Sequence, residues 1–175
     1  MNKIKIIAVI NIFLLSFIAH FIYDFCPSIF ISFFFPVNES IWEHMKILFT
    51  STLVYGLFDY ILLKVNNVKF NNYSFSLFFT SFIAIPIFLM IYMPIYYLFG
   101  EVLIVTLIIM LITYIICQFI SYKILSSKQY LYLNYISIPL IILTYIVFII
   151  FTYNPPKMPL FYDTLNKYYG IKRTY

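Results

Sequence analysis

Apolar residues along this chain concentrate in five long runs with few charged residues inside them, except at the polar start of the second. A helix that crosses a bilayer needs about 20 mostly apolar residues. The runs 4–25, 38–63, 73–99, 102–122 and 130–153 each meet that length. The pattern predicts an all-α polytopic transmembrane helix bundle of five spans, followed by a tail over 154–175. The third run contains Pro86 and Pro94 and the fifth contains Pro139. Membrane helices tolerate such prolines when neighbours satisfy the freed carbonyls. The third run is long for one crossing, which predicts a tilt, a kink at Pro94 or an interfacial last turn. The short run Phe30–Phe35 cannot span and reads as an interfacial or re-entrant piece. The first run has a basic start but no small-x-small cleavage site after it, so it is read as an uncleaved helix.

Composition agrees with a membrane as the solvent. Hydrophobic residues make up 64% of the 175 residues and charged residues 10%. A water-soluble domain carries roughly 25% charged residues. Disorder is excluded by the same apolar excess. Cys26 and Cys117 fall at different depths, so no disulfide is expected. Lysine placement predicts the orientation. With the N-terminus inside, Lys3, Lys5, Lys64, Lys69, Lys123 and Lys128 all lie inside, and the outer loops 26–37 and 99–101 carry no Lys or Arg. The chain is then N-in/C-out. Lys157, Lys167, Lys172 and Arg173 of the tail run against this rule, and the short loops outweigh them. The net charge of +5 follows from this arrangement and calls for no nucleic-acid partner.

In that topology five of the six acids (Asp24, Glu39, Glu43, Glu101 and Asp163) share the outer face with both histidines, and only Asp59 lies inward. Ionisable groups at membrane depth are costly and mark functional sites by default. The densest stretch is PVNESIWEHMK, Pro36 to Lys46. Asn38 is expected as the N-cap of the second span, with Glu39 a first-turn acid. On that helix Glu39, Glu43, Lys46 and Thr50 form one stripe, and Ser40, His44, Ser51 and Tyr55 a second. Glu43 and Lys46 are spaced for an ion pair. His20 and Asp24, also four apart, share a face of the first span. Asp59 is expected to pair with Lys64 or a hydroxyl, Glu101 to open the fourth span, and Trp42 to join an interfacial aromatic belt.

The segments HFIYD (20–24), PVNESIWEHMK (36–46) and PLFYDTLNKYYGI (159–171) resemble the DUF6512 family of small bacterial multi-spanning membrane proteins of unknown function. The resemblance implies an integral bundle in the bacterial cytoplasmic membrane. It implies no catalytic residue. It does associate the tail with the other two segments, so the tail is expected to fold back over the outer face.

Phosphate loops, GxSxG, HExxH and CxxC are all missing. The candidate ligand-binding set is His20, Asp24, Asn38, Glu39, Glu43, His44, Lys46 and Asp163. His20, Asp24, Glu43 and His44 are candidate ligands for a divalent metal, with Glu39 and Asp163 also suited by chemistry. Glu43 and His44 are the candidate catalytic pair. Three function classes are compatible with these residues. The first is an outer-face pocket for a small ligand, lipid headgroup or metal. The second is a metal-dependent hydrolase of a lipid or peptide. The third is an accessory subunit of a membrane complex. Expected partners are the lipid bilayer and either a second copy or another membrane subunit. A full transport path is thin, since below Tyr55 the second span offers mainly Asp59.

Overall fold

A computed structural model describes residues 2–171; Lys172 and Arg173 of the tail lie outside the described residues. The five predicted spans are five long helices, each apolar and long enough to cross a membrane. They are α1 (Asn2–Phe25), α3 (Ile41–Val65), α4 (Tyr73–Phe99), α5 (Leu103–Leu125) and α6 (Leu131–Tyr153), with a short α2 (Ile29–Phe34) between the first two. The chain is therefore a polytopic membrane protein. Its outer faces carry Ile6, Ile10, Leu57, Ile61, Ile104, Ile108, Ile142 and Ile146, all exposed, as lipid-facing surface requires.

Helix α3 is the centre of the bundle. It is mostly buried, whereas the other four long helices each expose most of their apolar surface. It packs on α1 and α4, while α4 also contacts α5 and α6, and α1 closes back onto α5. Ala8, Ile12, Met45, Leu48, Phe49, Tyr114 and Phe148 form the core between them. The small residues are on the lines of closest approach. A side chain at Gly56 of α3 would run into Leu77 of α4. Helix α4 continues through Pro86 and Pro94, and α6 through Pro139, so the third run is one crossing. At 27 residues α4 is ~40 Å long. It exceeds a ~30 Å hydrocarbon layer, and the excess fits a tilt.

Several local expectations are corrected. Helix α3 begins at Ile41, capped by Ser40, whose hydroxyl accepts the Glu43 N–H at 3.3 Å. Asn38 is not its cap, and Glu39 lies in the preceding loop. The Asn38 Oδ1 instead accepts the Ser40 N–H at 2.8 Å, an Asx-type turn that competes successfully with helix at this point. Phe30–Phe35 is mostly the six-residue helix α2, which packs on α6. Glu101 precedes α5, which starts at Leu103, so it is not a first-turn acid. Asp59 pairs with Lys5 of α1 at 2.6 Å, not with Lys64, whose ammonium sits over the Tyr60 and Phe70 rings. Trp42 packs against Phe148, Phe151 and Phe161, where it joins α3 to α6 and the tail.

The tail forms a 3₁₀ turn (Pro159–Phe161) and a two-stranded hairpin, β1 (Tyr162–Asp163) and β2 (Tyr168–Tyr169), with Tyr162 opposite Tyr169. The buried Asp163 carboxylate organises it. It accepts the Leu165 and Asn166 N–H groups, the Asn166 side chain and, from across the chain, the Glu39 N–H at 3.1 Å. Gly170 has φ +67°, and a Cβ there would meet the Thr152 carbonyl at 2.6 Å. Only glycine fits. The Gly170 carbonyl accepts the Asn38 side-chain N–H at 2.7 Å.

Candidate functional site

Three side chains from three segments converge at the end of the bundle that the tail covers. His20 comes from the last turns of α1, Glu39 from the loop before α3, and His44 from the first turn of α3. The His44 Nε2 lies 3.3 Å from Glu39 Oε2 and 3.4 Å from His20 Nε2, and His20 Nε2 lies 3.7 Å from Glu39 Oε2. All three are partly buried.

The protons at His44 can be assigned. Its Nδ1 is 2.9 Å from the Ser40 carbonyl oxygen, which can only accept, so Nδ1 carries the proton. In the neutral ring, the Nε2 lone pair therefore points at a carboxylate oxygen and at another imidazole nitrogen. Three electron-rich atoms in mutual contact repel unless a positive centre lies among them. That centre is a proton shared by the cluster or a metal ion. A tetrahedral metal bound at about 2.0–2.1 Å sets its ligand atoms ~3.3 Å apart, which the two His44 distances match. When the His44 ring is protonated at both nitrogens, its Nε2–H donates to Glu39 and holds that carboxyl below its ordinary range, although burial works the other way. The backbone carbonyl on His44 Nδ1 is the outer partner that metal-binding histidines ordinarily have. The Nδ1 of His20 is buried without a partner among the described residues.

The cluster opens onto a cavity of about 60 Å³ between α3, α4, α5 and the tail. Glu39 and His44 form part of its wall, and Glu101 is exposed at its mouth beside Tyr96 and Thr106. Its floor is apolar, with Met45, Leu48, Phe88 and Met110, and Pro159, Tyr162 and Thr164 of the tail roof it.

Other predicted residues have different places. Glu43 is a candidate base and metal ligand by sequence, but both its oxygens are committed elsewhere. Oε2 accepts Lys46 Nζ at 2.7 Å and the Val37 N–H at 3.1 Å, and Oε1 accepts the Thr152 hydroxyl at 2.6 Å. Lys46 also donates to the Ser32 carbonyl at 2.8 Å, and Thr50 to the Phe34 carbonyl at 2.9 Å. These two cap the C-terminal carbonyls of α2. Glu43 and Lys46 thus lock α2, α3 and α6 together and leave the histidines to Glu39. Asp24 is exposed at the end of α1 and outside the metal-capable cluster. Asn38 and Asp163 bind the tail. The carboxylate beside the histidines is Glu39, in the loop before the helix start at Ile41, and Glu43 faces Lys46 and Thr152.

A family model described as a family of unknown function, DUF6512, matches residues 1–171. The chain belongs to this family. No curated protein and no solved structure matches it. For a DUF6512 chain, then, the chemistry rests on the geometry alone. Sequence reasoning groups Glu101 with the outer-face acids but leaves it out of the candidate set, and it misses the apolar residues of the cavity. Glu101 had a visible signal as an acid on the histidine face. Met45, Leu48, Phe88 and Met110 had none, since they look like any core residue.

Proposed function

We propose that this protein is a membrane-embedded, metal-dependent hydrolase in which His20, Glu39 and His44 hold one transition metal, zinc by ligand chemistry. The observation that carries the proposal is the three-atom cluster itself. Two histidines and one carboxylate with a side left open form the donor set of catalytic zinc, whereas structural zinc is closed by four protein ligands. Zinc bound there supplies a water acidified to near neutral pH. The chain's own residues do the rest. The Ser40 carbonyl holds His44 in one tautomer. Glu101, which lines the same cavity as Glu39 and His44, is the residue we assign as general base. The apolar floor receives a short hydrocarbon group and excludes water, and the tail closes the roof. The substrate class is an amphipathic ester or amide, a lipid or a peptide, reached from the membrane surface.

Lysines gather at the other end of the bundle, around Lys5, Lys64, Lys69 and Lys123. By the positive-inside rule the cluster then faces the outer leaflet of a bacterial cytoplasmic membrane. The test is turnover of a fluorogenic short-acyl ester and a fluorogenic peptide amide by the zinc-loaded protein in liposomes. Glu101→Gln should retain the metal and lose ~10²–10⁴-fold in kcat. Turnover that survives metal removal, or an unaffected Glu101→Gln, contradicts the proposal.

A further inference from the structure

A second polar pocket lies toward the opposite end of the bundle, walled by α1, α3, α4 and α5 and enclosing about 20 Å³. Lys5 and Asp59 lie in it, both nine-tenths buried, joined through Asp59 Oδ2 at 2.6 Å. The other carboxylate oxygen, Oδ1, is buried with no partner among the described residues, and so is the Tyr55 hydroxyl one turn away on α3. The hydroxyls around them have little left to donate. Thr52 and Thr80 give their protons to the Leu48 and Ser76 carbonyls of their own helices, at 2.8 and 2.7 Å. The Tyr73 proton goes to the Gly56 carbonyl, and Ser76 and Ser121 share one bond at 2.9 Å. Apart from the Tyr55 hydroxyl, one proton of the Ser76–Ser121 pair and the Gln118 amide, what these groups can still offer the pocket is oxygen lone pairs.

An oxygen-rich wall around one formal negative charge suits a small monovalent cation. A divalent ion calls for more carboxylates and would leave a net charge buried. In this structure the cation in the pocket is an ammonium on a tether. Lys5 lies in the first turns of α1, and a groove between α1 and α5, lined by Lys5 and Gln118, adjoins the pocket. A lysine near a helix end reaches the membrane surface by extending its stem. Once it leaves, Asp59 is a buried charge without a counter-ion, which is strongly unfavourable. A dehydrated sodium ion replaces it charge for charge.

We propose that the Lys5–Asp59 pocket is a sodium-sized cation site for which Lys5 is the built-in competitor. The inference stands apart from the histidine cluster and its chemistry. Its test is thermal unfolding of the purified protein in sodium chloride and in choline chloride at equal ionic strength. Lys5→Met and Lys5→Gln should show a saturable sodium-dependent rise in Tm, about 3–6 °C at a tenfold excess over Kd. Adding Asp59→Asn to either should abolish it. Folding of a Lys5 variant in sodium but not in choline supports the same conclusion. On the unaltered protein, sodium should speed acylation of Lys5 by an amine-reactive ester. A Lys5 variant whose Tm is the same in both salts, or whose shift survives Asp59→Asn, overturns the proposal. If neither variant folds in either salt, equal Lys5 acylation rates in the two salts overturn it instead.

Discussion

Glu39 and Glu43 are four positions apart with identical side chains, and the fold gives them different surroundings. Glu43 is 1% exposed and sits between Lys46, Thr152 and the Val37 N–H, while Glu39 is partly open beside two histidines. Removing one member of a buried ion pair leaves the other as an unpaired charge, at a cost of about 3–5 kcal/mol. Glu43→Ala should therefore lower unfolding stability in detergent by roughly that amount. Glu39→Gln should cost less than about 1 kcal/mol, as for partly exposed positions. Equal losses for the two would contradict the division between scaffold and site. Much at this scale was legible in sequence. The Glu43–Lys46 pair follows from residue type and spacing, and the topology puts both histidines on one face with Glu39 and four other acids. The partners were not. Whether Glu39 or Glu43 meets His44 depends on a helix start set by Ser40 and by the Asn38 turn, a competition between local hydrogen bonds that spacing alone leaves undecided.

At the scale of elements, the apolar runs placed the helices well. The third run, 73–99, coincides with α4, whereas the second shifts to Ile41–Val65 because its polar start belongs to a loop. The tail was legible only as something that must dock. Its lock is Asp163, and the sign of its pH dependence follows. Burial pushes the Asp163 carboxyl up, but donors from Asn166, Glu39 and Leu165 outweigh it and hold the group below the ordinary value of about 3.9. A lowered folded-state value means the contribution is present above the ordinary range and fades as pH falls through the lowered value. Tail docking should thus be complete at neutral pH and weaken only below about pH 4. Limited proteolysis after Tyr153 checks this. Asp163→Asn and Gly170→Ala should both expose the tail to cleavage at pH 7, the first by weakening the lock and the second by a clash with the Thr152 carbonyl. A protected tail in both variants would show that other contacts hold it. Because Glu39 donates its backbone N–H to Asp163, either change should also loosen metal binding.

For the whole molecule, the bundle separates two polar ends by an apolar middle. One end carries the histidine cluster, Glu101 and the tail; the other carries Lys5 with Asp59 and most of the lysines. The lysines predict the orientation by the positive-inside rule, and Cys26 tests it. This thiol is exposed at the cluster end of α1, and Cys117 is buried. In intact cells a membrane-impermeant maleimide should label Cys26 from outside; labelling only after permeabilisation would invert the topology. The central claim is the metal site. Its most direct test is metal content by mass spectrometry of protein purified without chelators, compared with a His20→Ala/His44→Ala double variant and Asp24→Asn. The geometry predicts about one zinc or similar transition metal per chain, kept by Asp24→Asn and lost in the double variant. A well-folded protein that carries no metal, and takes up none on zinc titration, would mean that the cluster holds a proton, and would remove the hydrolase proposal with it.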